Sequence, residues 1–425
     1  MRLVKKGNTV VKTICMCLTG AVFAGCVSGP FIEDNAEERR AGSEQIAGSM
    51  QTGVPGQNDW PAEDPGDPAE LDGSSYEARG RIPTWKDGKE AACSLTLDDG
   101  SADQFILAAP VLETHGVGGS FFLMSGPRDR EDQASIQAGL QELRGGQQPD
   151  VADLPLLFSW ENAAALLKRG HEIGSRGKDP SDPTNIGGGM EAVGRELLNS
   201  AREIRNKLPA EFLPPVGGLT FGWSGVEMDP ALKTVAEESY LAGRGGQGLS
   251  SGPIIKDPFI VPSVRVGGTD SFPSWVRTLE MNSQRRGWMV FTFHGFAREV
   301  RRVSESGRQP VAIGKLEALL HYLSERSYWT APFGRVYRYA VERHNSRLVF
   351  KEISDDGIVL SLDDGLDDAI YSEALTVEVL PPADMEVDTI LSEDGDLIPF
   401  STVSKGWIRF ETVPDGRPLF LSIGK

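Results

Sequence analysis

The chain has 425 residues, a formal net charge of −18 and 39% hydrophobic residues. So acidic a balance argues against nucleic-acid binding through a basic face; it speaks to solubility and not to fold. The length admits one large domain and a smaller one, and the four cysteines do not make a disulfide framework or a thiolate zinc cluster.

In chain order, Arg2, Lys5, Lys6 and Lys12 precede a modest apolar stretch, Ile14 to Ala24, that ends in small residues. This reads as an export signal, too short for a comfortable membrane-spanning helix. Val22-Phe23-Ala24-Gly25-Cys26 resembles a bacterial lipoprotein cleavage box, with Phe23 in place of the usual leucine. Residues 1–26 are therefore expected to be a lipoprotein-type signal. Cys26 would carry lipid and attach an exported protein to the periplasmic or surface side of a bacterial membrane, in the cell envelope. Cys15 and Cys17 would leave with the signal, and Cys93 would remain alone and buried. Residues 27–87 are rich in Gly, Pro, Asp, Glu and Ser with no sustained period, and read as a disordered tether.

The next segment carries the chemistry. Cys93 to Leu97 reads as a buried strand that ends in Asp98-Asp99-Gly100. Carboxylates at the mouth of such a strand are costly to desolvate unless a cation, a donor or a proton partners them. An Asp-Gly pair also closes ordinary turns, and Leu362-Asp363-Asp364-Gly365 repeats the tetrapeptide elsewhere in the chain. After the first copy, Ser101 to His115 reads as a helix, Gly119 to Met124 as a buried strand, Trp160 to Arg169 as a helix and Gly170-His171-Glu172-Ile173-Gly174 as a strand start. Further elements are a helix over Met190 to Lys207, a strand over Gly218 to Phe221, a helix over Pro230 to Glu238 and a strand over Phe259 to Val264. Then come a helix over Phe272 to Ser283, a strand from Trp288 to Phe293 stopping at His294-Gly295, a helix over Lys315 to Arg326, a short strand over Tyr328 to Thr330 and a closing helix over Gly334 to Arg343. This alternation predicts an α/β fold, a distorted (β/α) barrel of about seven units over residues 88–345, with active groups where strands end. From 348 to 425 the runs are short and alternating, which predicts a small antiparallel β domain. Its acidic loop Asp363–Asp368 lacks the spacing of an EF-hand and reads as a solvated turn.

The order Ser94-Leu95-Thr96-Leu97-Asp98-Asp99-Gly100, then Ser120-Phe121-Phe122, then Gly170-His171-Glu172-Ile173-Gly174 resembles the polysaccharide deacetylases, the NodB-homology or carbohydrate esterase 4 family. The resemblance runs from about Ala92 to Arg343 and is looser after Ser175. It implies hydrolysis of N- or O-acetyl groups on a carbohydrate with a divalent metal such as zinc. Carried over, Asp98 would be the base, Asp99 a metal ligand and His294 the acid, a role suited to an imidazole.

The chain departs from the family where the two metal histidines belong. Arg176 stands at the first position and Asp179 or Pro180 at the second. A guanidinium offers only donors and stays charged. His171 or Asp179 would have to join Asp99 for a metal to bind, although the family pattern makes His171 a strand or supporting residue. Phe221-Gly222-Trp223-Ser224-Gly225 stands where the family's later arginine-and-proline segment belongs and contains no arginine. Arg176 could pair with Asp98 and Asp99 as a fixed cation, with Trp223 in the same pocket. Three readings follow: an exported carbohydrate deacetylase with an altered site, a carbohydrate-binding pseudo-deacetylase without metal, and a purely structural lipoprotein. His115, His321 and His344 read as surface or packing residues.

Overall fold

The computed structural model describes residues 78–126, 159–178, 189–223, 230–249, 252–299 and 310–423. All of these fall in one compact unit, Thr52–Lys425. Cys26, the tether up to residue 77, and Asp179 lie outside the described residues.

After a short strand β1 (Arg79–Arg81), the strands β2 (Ala91–Asp99), β3 (Ser120–Leu123), β4 (Glu172–Ser175), β5 (Thr220–Gly222), β6 (Ala242–Gln247), β7 (Val261–Arg265) and β8 (Trp288–Phe293) run parallel in that order. β8 pairs back onto β2, with Ala92 opposite Trp288 and Leu97 opposite Phe293, so the seven strands close into a barrel. Outer helices are α1 (Ala109–Thr114), α2 (Trp160–Lys168), α3 (Gly189–Lys207), α4 (Pro230–Glu237), α5 (Phe272–Ser283) and α6 (Ile313–Ser324), whereas α7 (Phe333–Asn345) packs Phe333 against Phe122 and Trp288 of the inner cluster. β9 (Phe296–Ala297) and β10 (Val311–Ala312) form a short parallel pair beyond β8, and β11 (Tyr328–Thr330) joins the first half of β2 outside the closed ring.

Two details differ from the expected units. The Tyr328–Thr330 strand flanks the barrel and does not complete it. The strand that does complete it, Ala242-Gly243-Arg244-Gly245-Gly246-Gln247, is not among the expected strands; three of its six residues are glycine, which weakens a strand signal. The glycines admit neighbouring rings: a Cβ on Gly243 would come within 2.7 Å of the Trp223 indole nitrogen, and one on Gly245 within 2.8 Å of that ring.

β2 is buried along its whole length. Successive side chains of a strand point to opposite faces. Cys93, Leu95 and Leu97 join the cluster that includes the helix residues Leu107, Leu112 and Leu166, so they face the outer helices. Ser94, Thr96 and Asp98 therefore face the lumen. The first two are satisfied there: the Ser94 hydroxyl donates to Ala331 O at 2.8 Å and the Thr96 hydroxyl to Phe291 O at 3.0 Å. Asp98 is the next step of this polar ladder, and burial obliges it to find partners.

The C-terminal strands are β12 (Arg347–Ser354), β13 (Gly357–Asp363), β14 (Leu375–Leu380), β15 (Val387–Leu391), β16 (Phe400–Thr402), β17 (Ile408–Thr412) and β18 (Asp415–Ile423). They form two antiparallel sheets, β12-β13-β18-β15 and β1-β14-β17-β16. Leu360, Leu421 and Ile390 of the first share one apolar cluster with Val377, Val379 and Phe410 of the second, and the cluster continues into Trp85, Trp329 and Tyr339 of the barrel part. Each large apolar side chain buried there contributes about 1.5–3 kcal/mol. The expected tether of residues 27–87 is overrun at its end. Arg79 to Arg81 pairs with Leu380 to Glu378, because the open edge of β14 presents backbone donors and acceptors that another strand can satisfy.

The acidic loop is a turn, as its Asx-type bonds show: Asp363 Oδ1 accepts from Gly365 N and Asp364 Oδ1 from Leu366 N, both at 2.9 Å. It is not wholly solvated, since Asp364 is buried. The loop packs by α7, where Glu342 is also buried and takes the Glu373 amide on Oε1 at 2.8 Å. Burial, with Asp364 adding to it against the bond from Glu373, pushes the Glu342 carboxyl up to about 9.

Candidate active site

The C-terminal end of β2 turns sharply: Asp99 has φ 74° and Gly100 φ 73°, two successive residues in the left-handed region. Aspartate tolerates that region better than most side chains, but still at a cost. The turn places the carboxylates of Asp98 and Asp99 around a single guanidinium. Arg176, in the first loop position after β4, reaches both: Nη1 bonds Asp98 Oδ2 and Nε lies 2.7 Å from Asp99 Oδ1. Parallel register explains the encounter. Asp99 is opposite Leu123, which is opposite Ser175, so Arg176 emerges level with the aspartates.

A second arginine completes the cluster. Arg244 Nη2, on β6, is 2.9 Å from Asp98 Oδ1 and 2.8 Å from Oδ2. Its guanidinium carbon lies 5.5 Å from the centre of the Phe122 ring. Gly222 makes room for it, because a Cβ there would approach Arg244 Nη2 to 2.8 Å and Phe122 Cγ to 2.9 Å. Arg244 was not legible as a site residue. The available signal was an arginine set among glycines in a segment that follows the apolar Tyr240-Leu241-Ala242.

His294, just past β8, sits with Nε2 3.7 Å from Asp98 Oδ2 and 3.5 Å from Arg176 Nη2. Gln104 ties the ends of β2 and β8 together: its Nε2 donates to Asp98 O, and to His294 O at 3.3 Å. It lies in a π-helical turn, Gln104–Ala108, that widens the start of the first helix; such turns recur at functional sites. Trp223 enters the site through its backbone, its carbonyl lying 3.4 Å from Arg176 Nη1 and 3.5 Å from Arg244 Nη2. Its ring is turned away into the core, where Nε1 donates to Phe259 O at 2.9 Å.

Burial would raise the Asp98 carboxyl, but Arg176 and then Arg244 outweigh it and hold the group below its usual range. For His294 burial dominates, only partly opposed by Asp98, and the imidazole is pushed down to about 4. At neutral pH it is uncharged.

His171 is not in this pocket. It precedes β4 while Arg176 follows it, and from His171 to Ser175 four residues of extended chain span about 13 Å. Its Nδ1 accepts from Gly119 N at 3.0 Å and its Nε2 lies 3.2 Å from Glu113 Oε1, with the ring edge-on to Phe121. These contacts make it a packing residue of the opposite barrel end, and the expectation that it could ligate a metal is corrected.

The residues present do not fit a divalent metal. Both Asp98 oxygens and Asp99 Oδ1 are taken by guanidinium groups, and a cation at this point would meet the charge of Arg176 directly. Among the described residues no three Asp, Glu, His or Cys side chains are grouped to hold a metal. The expected role of Asp99 as ligand is therefore replaced by that of ion-pair partner to Arg176.

The site thus lies at the mouth of a closed seven-strand parallel barrel, with paired aspartates ending the first barrel strand and antiparallel sheets following the barrel. No family model matches the chain. It is 24% identical over 364 residues to a gellan lyase from Bacillus sp, a match that takes in 79% of this chain and 13% of that protein, so the chain spans only a small part of that relative. Among solved structures it is similar to a protein from Mycobacterium smegmatis assigned as a polysaccharide deacetylase (TM-score 0.39, 16% identity, 62% of this chain and 95% of that one). It is also similar to the Streptococcus pyogenes deacetylase PplD (TM-score 0.33, 12% identity, 44% and 69%). A third is a carbohydrate esterase 4 pseudoenzyme from Bacillus anthracis (TM-score 0.33, 12% identity, 58% and 64%).

Proposed function

We propose that this is an exported, lipid-anchored deacetylase-like protein that binds acetylated carbohydrate at the mouth of the barrel and does not hydrolyse it. The observation that carries the reading is Arg176, paired with both Asp98 and Asp99.

The proton chemistry points the same way. A general base works best with a pKa near the operating pH. Asp98 is held low by its arginines and is a weak base. His294, pushed down to about 4, is a neutral imidazole at neutral pH and lacks the second, acidic proton that a general acid gives to a leaving group. What remains is a recognition surface. The partly exposed His294 can exchange hydrogen bonds with sugar hydroxyls or an acetamido N–H, and Arg176 can donate to an acetyl carbonyl.

The test is calorimetric titration of the protein with acetylated chito-oligosaccharides and acetylated xylo-oligosaccharides, alongside an acetate-release assay with and without added zinc or cobalt. Saturable binding of one sugar series with no acetate release is the expected result. Brisk release that Asp98→Asn abolishes would restore the hydrolase reading, and absence of saturable binding would leave a structural lipoprotein. Anchoring is checked separately: mass spectrometry of the mature N-terminus should show a diacylglyceryl-modified Cys26, and an unmodified terminus rejects the anchor.

A further inference from the structure

A second charged cavity lies at the other end of the barrel. It is bordered by Glu90, which precedes β2; from there to Asp98 eight residues of strand span about 26 Å. The cavity, of about 150 Å³, is lined by Arg81, Lys89, Arg286 and Arg409 against only Glu90 and Glu378. A surplus of two positive charges around so small a space contrasts with the chain's overall charge of −18.

The cavity is built, not incidental. Glu378 is buried and holds an arginine on each side. Arg81 Nε and Nη2 each lie 2.6 Å from its Oε2, and Arg409 Nε lies 2.8 Å from its Oε1. Arg81 is further fixed by the Trp407 ring, 4.5 Å below its guanidinium carbon. Each guanidinium has five donors, so the Nη1 donors of both remain after Glu378 is served. The wall between them is a glycine by necessity: Gly88 has φ +66°, and a Cβ there would come within 2.5 Å of Arg409 Nη2. Among the described residues, the side chains of Lys89 and Arg286 have no ion-pair partner.

We propose that this cavity binds a compact oxyanion, a carboxylate or phosphate group, between Lys89, Arg286 and the outer edges of Arg81 and Arg409. Its volume is below the roughly 300–1,000 Å³ of sites that enclose a whole small ligand. It therefore suits a charged substituent better than a sugar ring. Charge-assisted hydrogen bonds from preset guanidinium groups supply the affinity, and an anion relieves the repulsion among the four cations. The inference does not depend on what the Asp98 site binds.

The experiment is calorimetric titration of the full chain, in dilute chloride buffer, with sodium phosphate and separately with sodium glucuronate. A 1:1 saturable isotherm is expected with at least one. Phosphate alone would point to a phosphate-bearing polymer and glucuronate alone to a uronate. In the double variant Lys89→Gln/Arg286→Gln, binding should weaken by at least about tenfold. Its thermal midpoint without anion should stay near that of the parent, since neither side chain has an ion-pair partner among the described residues. No saturation with either anion, or equal affinity in the double variant, would overturn the assignment, and both outcomes leave the sugar-binding test at the barrel mouth untouched.

Discussion

Asp98→Asn is expected to destabilise the protein by about 3–5 kcal/mol, the range seen when one partner of a buried ion pair is removed. Asp98 is wholly buried, and its carboxylate is the shared counter-charge of Arg176 and Arg244, itself only 5% exposed. Asparagine keeps the shape but removes the charge, so Arg244 is left buried without a compensating anion. Urea unfolding of parent and variant at pH 7 measures the difference. A loss under about 1 kcal/mol, the value of an exposed pair, would show that solvent screens the cluster. The acid limb gives a second reading. The folded-state carboxyl sits below its unfolded value, so its contribution is present above an unfolded pKa of about 3.9 and is lost as pH falls through the lower folded value. The variant should lack that part of the acid transition. His294 adds a loss of the same direction over a higher window. Its folded value, about 4, lies below its ordinary 6.5, so the unfolded chain takes up the proton first as pH falls from 6.5 towards 4.

Glu342→Gln should act in the opposite direction and at the opposite end of the pH scale. The folded carboxyl is pushed up to about 9 from 4.5, chiefly by burial. The native state therefore holds a proton that the unfolded chain has released. The associated stability is fully present below 4.5 and is lost as pH rises through 9. Asp364, raised to about 6 mainly by burial, contributes in the same sense between 3.8 and 6. Glutamine preserves the amide-accepting oxygen that serves Glu373 and has no proton to lose. The variant should be more stable than the parent at pH 8–9 by about 1–3 kcal/mol, with little difference at pH 5. Denaturant unfolding at pH 5, 7 and 9 checks this. If the variant keeps the parent's decline towards alkaline pH, another group is responsible.

How much of this could be read along the chain depends on the kind of signal each part carries. Short runs with few or no charges, such as Cys93–Leu97, Phe121–Met124 and Trp288–Phe293, announce buried strands, and their alternation with amphipathic helices announces a parallel barrel. The paired aspartates and His294 stand at the ends of such runs, and the parallel register brings strand ends together, so their meeting followed from local pattern. Arg176 was legible for the same reason, as the residue leaving the next strand but one from β2. Arg244 was not, because its strand is made of glycines that exist to admit Trp223, a reason visible only once both segments are in place.

Sequence by itself thus determined the barrel, the acidic strand mouth and the presence of a guanidinium where a metal-binding histidine would stand. The first two rest on residue type and spacing along single elements; the third rests on the resemblance to the deacetylase motif. Tertiary structure alone decided which cations hold Asp98, that His171 lies a strand's length away from it, and that Arg79–Arg81 completes a sheet with a segment close to 300 positions further along the chain. It also decided where the positive cavity forms, since Arg81, Lys89, Arg286 and Arg409 come from four separated stretches. The physical reason is common to all of these: a buried charge or an open strand edge must be satisfied, but nothing local specifies the partner. Closure of the chain chooses it.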